Sequence, residues 1–177
     1  LRYLRHDETF QDVRFYAFDV CGDPSVNHQG EYVPDKDFVA CYSHYLSNGN
    51  QFKLHEEYLA QHNLYRDKCF LVQGLFEFTL TDAFKQKYKN ENRKIGFAFL
   101  DCNMMPSYKT VFEFIFDMMG KESYIYMDEY FQNPSVIEYY QQFVERLRKE
   151  RNIGSVYIRN AGGFGGLFRL YPLAVTD

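Results

Sequence analysis

Three carboxylates stand at the ends of two apolar runs. Asp101 directly follows Ile95–Leu100, and Asp128 with Glu129 directly follows Tyr124–Met127. Acidic oxygens gathered at one mouth suit a hard divalent cation of the magnesium kind. Acids at strand ends can also simply face water, so the cation reading depends on the two runs lying side by side. Asp19 is a fourth candidate, near the end of Arg14–Val20. In a nucleotide-binding α/β fold an acid there can accept hydrogen bonds from both ribose hydroxyls; a solvated loop aspartate is the alternative. Gly74, Leu75 and Phe76 follow the run Lys68–Gln73, where glycine lets the backbone turn tightly. The five histidines (His6, His28, His44, His55, His62) show neither HxH nor HxxxH spacing, and no Ser-His-Asp arrangement or reactive nucleophile stands out.

The acids need elements to place them. Arg14–Val20, Lys68–Gln73, Ile95–Leu100 and Tyr124–Met127 are short apolar runs bounded by turn residues, the pattern of strands buried on both faces. Between the last two lies Val111–Met119, of helix-like length and composition. Strand, helix, strand makes a βαβ unit, so the two strands are expected to be parallel neighbours with their carboxyl ends at one sheet edge. Ligands bind open α/β sheets at that edge. Gln51–Leu64 and Thr81–Lys89 read as helices, and Leu1–His6 as the tail of another whose start lies upstream. Cys21–Phe38, with two glycines and two prolines, reads as a long loop.

Asn133-Pro134 is a helix start, a capping residue before a proline in the first turn. Val136, Ile137, Tyr140, Phe143, Val144 and Leu147 continue it to about Arg151, with a basic last turn that complements the helix dipole. Ser155–Arg159 and Leu167–Leu173 flank the glycine-rich stretch Ala161–Gly166. A phosphate-binding loop leads into a helix, and here a strand-like run follows, so the stretch reads as a hairpin. The expected fold is α/β: a doubly wound, mostly parallel sheet with a C-terminal antiparallel hairpin.

At 177 residues the chain is long enough for a single domain over 1–177 with a real core. A net charge of −4 without any basic footprint argues against nucleic acid as a partner. No run is long enough to span a membrane and no signal peptide is visible. The four scattered cysteines form no CxxC pair, and Cys69 and Cys102 lie beside apolar runs, so buried thiols are the default reading, which favours a reducing cytoplasm. Aromatic residues make up 19% of the chain, which fits a Phe-rich core rimmed by Tyr, aromatic-lined clefts or a homo-oligomer interface.

The segment LDCNMMPSYKTVFEF, then YMDEYFQNPSVIEYYQQF, resembles the S-adenosylmethionine-dependent O-methyltransferases of the macrocin O-methyltransferase type. FYAFD at Phe15–Asp19 and VQGLFEFTL at Val72–Leu80 resemble that family too, in the same order. The resemblance implies a Rossmann-like class I methyltransferase fold that transfers a methyl group to a hydroxyl of a small, sugar-containing acceptor. The alternative it leaves is a non-catalytic binding or assembly module on the same fold. It implies S-adenosylmethionine bound by Asp19, Gly74, Leu75, Phe76 and Asp101, and magnesium held by Asp101, Asp128 and Glu129. Asp101 and position 103 would be catalytic. Asn103 departs from the family's aspartate, the proposed general base, and an amide takes no proton at neutral pH. Glu129 stands where an aspartate is usual. The family's glycine-rich loop follows a first strand that this chain, beginning at Leu1, does not include, so the chain reads as truncated at its N-terminus.

Overall fold

The computed structural model describes residues 12–19, 56–58, 60–61, 68–102 and 105–174. The five histidines, Asn103, Cys21, Cys41, the Leu1–His6 helix tail and the Cys21–Phe38 loop lie outside them, as does most of the expected Gln51–Leu64 helix. The chain divides into two compact units, Leu1–Thr79 and Leu80–Asp177.

In the first unit, β1 (Phe15–Asp19) and β2 (Cys69–Gln73) pair in parallel from Phe15↔Cys69 to Asp19↔Gln73. Tyr16 and Phe70, partners in that register, stack with ring centroids 4.9 Å apart. Gly74 then donates its N–H to the Asp19 carbonyl at 2.9 Å, which carries the ladder one residue past the strand. A single turn, α1 (Phe76–Thr79), follows, with the Thr79 hydroxyl and amide both donating to the Leu75 carbonyl.

The second unit opens with α2 (Asp82–Asn90), capped by Thr81, whose hydroxyl accepts from the Phe84 amide at 3.2 Å. Next come β3 (Ile95–Leu100), α3 (Met105–Phe116), β4 (Met119–Met127), α4 (Pro134–Arg151) and the closing strands β5 (Ile153–Ala161) and β6 (Gly165–Pro172). The sheet order is β3-β4-β6-β5. β3 and β4 are parallel, as the βαβ reading expects; β6 lies antiparallel between β4 and β5. Together with the β1–β2 pair this is the α/β architecture expected, with its antiparallel hairpin at the end.

The chain leaves the expected boundaries between β3 and β4. The helix was expected over Val111–Met119 but runs from Met105 to Phe116. Pro106 suits a first helical turn, where its missing N–H costs nothing, so the helix can begin earlier than the apolar pattern suggests. β4 starts at Met119, five residues before the expected Tyr124, and carries the polar stretch Gly120–Ser123. The register jumps from Ile95↔Met119 to Phe97↔Tyr124, so the extra residues are absorbed in a bulge. Ser123 is fully buried there and satisfies its hydroxyl on the Gly120 carbonyl at 2.8 Å.

The core of this unit lies between α3, α4 and one face of the sheet. Phe112 of α3 meets Tyr140 and Phe143 of α4, and Tyr140 packs on Phe168 of β6 at 4.5 Å between centroids. The Tyr140 hydroxyl shares a 2.5 Å hydrogen bond with Ser155. Arg151 ends α4 by donating to the Phe116 and Met119 carbonyls, which ties the α3–β4 turn to the helix end. Asn152 caps the helix in the left-handed conformation at φ 55°. The opposite face of the sheet leaves Phe97, Phe99 and Tyr124 exposed. Among the described residues no helix is long and apolar enough to cross a membrane.

Leu147 is fully buried in α4 and is a sensitive probe of this packing. Leu147→Ala is expected to destabilise the fold by about 2–5 kcal/mol, the range for leucine truncation in a packed core. Urea unfolding followed by circular dichroism measures it, and a loss below ~1 kcal/mol would mean the helix is not packed as described.

Candidate functional site

Parallel pairing decides where the acids go. Leu100 lies opposite Met127, the last residues of β3 and β4. The Asp128 amide then donates to the Leu100 carbonyl at 3.0 Å, so Asp101 and Asp128 leave the sheet from one bonded point. Asp101 is exposed; Asp128 and Glu129 are half-buried. The Glu129 carbonyl accepts from Gln132 and Asn133 at 3.1 and 3.0 Å, which fixes the tight turn that leads into α4.

The electrostatics follow from this crowding. The Glu129 carboxyl is raised above its ordinary value by burial first, then by the charges of Asp101 and Asp128. Cys102, buried next to Asp101, is pushed up to about 12, chiefly by burial and then by Asp101 and Glu129. It is therefore an inert thiol at neutral pH. Cys69 is also a free thiol, half-buried in β2. From α3 the fully buried Tyr108 hydroxyl reaches this region, and among the described residues it has no hydrogen bond of normal geometry. Burial raises its pKa most, followed by the neighbouring Cys102 and Glu129.

Sequence reasoning missed two contributors. Tyr126 donates its hydroxyl to Asp128 Oδ1 at 2.6 Å, and its ring stacks on Phe99 at 4.7 Å between centroids. That hydrogen bond is the main reason its pKa is pushed up to about 12. The tip of the closing hairpin is the second. Met127 pairs with Gly166, so the β5–β6 turn lies at the carboxyl end of β4, beside the acids. The Phe131 amide donates to the Phe164 carbonyl at 2.9 Å and holds the turn there. An aromatic two residues before an acid is too common to flag Tyr126, and the hairpin's place depends on strand order.

The expected cofactor residues of the first unit also come together. Asp19 is exposed at the carboxyl end of β1, and Gly74 follows β2 at the same edge, joined to it by the amide–carbonyl bond described above. Gly74 has φ +140°, and a Cβ there would come 3.0 Å from the Thr79 methyl, so glycine suits the turn. Leu75 and Phe76 are half-buried just beyond. An exposed carboxylate beside a turn without a side chain fits a ribose. The metal expectation fares differently. Among the described residues no three His, Cys, Asp or Glu side chains are arranged to share one ion, so Asp101, Asp128 and Glu129 do not form a ligand set in this arrangement.

No protein-family model matches the chain, and no curated protein does. Among solved structures, the O-methyltransferase NovP aligns with 94% of this chain at 16% identity and a TM-score of 0.62. This chain spans 62% of the length of NovP. An O-methyltransferase from Bacillus cereus in complex with SAH aligns with 89% of this chain and 73% of its own, at 13% identity and a TM-score of 0.49. An apo TDP-rhamnose 3'-O-methyltransferase of calicheamicin biosynthesis aligns with 88% of this chain and 58% of its own, at 19% identity and a TM-score of 0.43. The likeness to NovP places the chain in the Rossmann-like α/β fold of the class I methyltransferases.

The raised Glu129 carboxyl has a thermodynamic consequence. The folded state holds this proton more tightly than the unfolded chain, so its ionisation opposes folding as pH rises above the ordinary value of 4.5. Glu129→Gln removes that opposition. The variant is expected to melt higher than the parent at pH 7, and the difference is expected to vanish well below pH ~4, where both forms are neutral. Calorimetric melting at the two pH values checks the sign.

Proposed function

We propose that the protein is an S-adenosylmethionine-dependent O-methyltransferase of the macrocin O-methyltransferase type, acting in the cytoplasm on a hydroxyl of a small, sugar-containing molecule. The observation that carries this reading is the pair of parallel strands whose tips bring Asp101, Asp128 and Glu129 to one edge of a methyltransferase-like sheet. The motif segments around Asp101 and Asp128 support the acceptor class through the family they resemble.

When bound, the sulfonium supplies an electrophilic methyl group. The chain's part is to bind, orient and move a proton. Asp19 accepts hydrogen bonds from the ribose hydroxyls, and the turn at Gly74 lets Leu75 and Phe76 cover the adenine. Asp101 and Asp128 accept from acceptor hydroxyls and hold the reacting oxygen for in-line attack, where positioning supplies much of the rate. Glu129 is the best placed group to receive the hydroxyl proton, because its raised pKa brings it closer to neutrality than an ordinary carboxylate. The Asn103 amide can orient a hydroxyl but takes no proton.

Calorimetric titration of the whole protein with S-adenosylmethionine, with and without magnesium, tests the reading. Micromolar binding is expected, and Asp19→Ala is expected to weaken it by about 1–3 kcal/mol, the cost of leaving hydrogen-bonding partners unpaired. Unchanged affinity in the folded variant would remove Asp19 from the site. Cofactor binding without methyl transfer to any hydroxylated sugar would make the protein a binding module. Binding that requires magnesium would return the acids to a metal role.

A further inference from the structure

Tyr126 lies between the acidic turn and the hairpin tip. Its hydroxyl donates to Asp128 Oδ1 at 2.6 Å, and among the described residues it is the only hydrogen-bond donor to that carboxylate. The residue is 8% exposed, and its ring is held by its stack on Phe99 at an interplanar angle of 23°. The hydroxyl also lies near Gly162, where an added Cβ would come 3.1 Å from it. Gly162 has φ +67°, and its turn is braced by Asn160 Nδ2 donating to the Gly163 carbonyl at 3.0 Å. The Asp128 main chain is fixed to β3 through the Leu100 carbonyl. Backbone and one carboxylate oxygen are thus both held before any ligand arrives.

We infer that Tyr126 is a positioning residue: it ties Asp128 to the tip of the closing hairpin, so that Asp128 meets a ligand hydroxyl through Oδ2 alone. A carboxylate with both oxygens unbound turns easily about its last torsion, which has a broad, roughly two-fold profile. Occupying Oδ1 removes that freedom and leaves one acceptor pointing in a set direction. A short O–H···O⁻ bond is among the stronger hydrogen bonds, enough to hold a half-buried side chain. Gly162 is part of the device, since a side chain there would crowd the hydroxyl. The contact with an acceptor hydroxyl rests on the methyltransferase reading; the tie itself does not.

Tyr126→Phe keeps the stack on Phe99 and removes only the hydroxyl. Its crystal structure is expected to show the Asp128 carboxylate turned or spread over more than one rotamer, whereas a single unchanged rotamer would overturn the tie. Asp128→Ala supplies a second arm should the phenylalanine variant fail to fold. Releasing the hydroxyl from that side is expected to speed amide hydrogen exchange at residues 162–164, and unchanged exchange would overturn the link to the hairpin. The kinetic arm uses methyl transfer from S-adenosylmethionine to a panel of sugars with free hydroxyls. Tyr126→Phe is expected to raise the acceptor KM about tenfold with kcat largely kept, and to have no further effect in an Asp128→Asn background. An equal loss in that background would show that Tyr126 does not act through Asp128. A parent protein that transfers no methyl would overturn the functional reading, while the rotamer and exchange arms still decide the tie.

Discussion

The hydrogen bond from the Asp128 amide to the Leu100 carbonyl holds the site together. It closes the parallel ladder of β3 and β4 at its carboxyl end and fixes the two chain exits at one point. Parallel strands need a long crossover, and α3 supplies it. That helix must sit on the sheet, so its aromatic face sets the core with α4. The acids are where they are because Phe112, Phe116 and Phe143 pack as they do on the other side of β4. Chemistry at the mouth and packing beneath it are two ends of the same βαβ unit.

Three negative side chains at one edge carry an electrostatic cost. The structure meets it in different ways at each acid. Asp101 is exposed, and charge at an exposed position is screened. Asp128 receives a hydroxyl proton donor. Glu129, turned partly inward, is left with a raised affinity for a proton. Such a divergence of environments among neighbouring carboxylates is how one site can hold both an acceptor of hydrogen bonds and an exchanger of protons.

The βαβ unit was legible because local patterns agreed: apolar runs of strand length, a helix-length segment between them, and acids just past each run. The Asn133-Pro134 helix start and the final hairpin were equally plain, since capping and glycine chemistry are local. The early start of β4 was hidden by Gly120–Ser123, whose polarity reads as a loop and is absorbed in a bulge instead. The Tyr126 tie was out of reach for a different reason. Its bond to Asp128 joins residues too commonly paired to stand out, and its place beside the hairpin requires knowing that β6 slides between β4 and β5, a non-local choice that no short window of sequence records. Asn103 lies outside the described residues, so that departure from the family pattern stands as a sequence fact alone.

The strand order also bears on how the chain is made. β4 emerges from the ribosome with β3 already available as a neighbour, but its second neighbour, β6, is built from residues 165–172. Until those residues are free, β4 is an edge strand, and Ser123–Met127 lack their antiparallel partners on β6. Synthesis at roughly 5–20 residues per second leaves that edge open for a few seconds. During that interval Tyr126 has no hairpin to lean on. The nascent chain is therefore most vulnerable to wrong pairing at the strand that later carries the acids, and a chaperone or an early-forming α4 would do most good there.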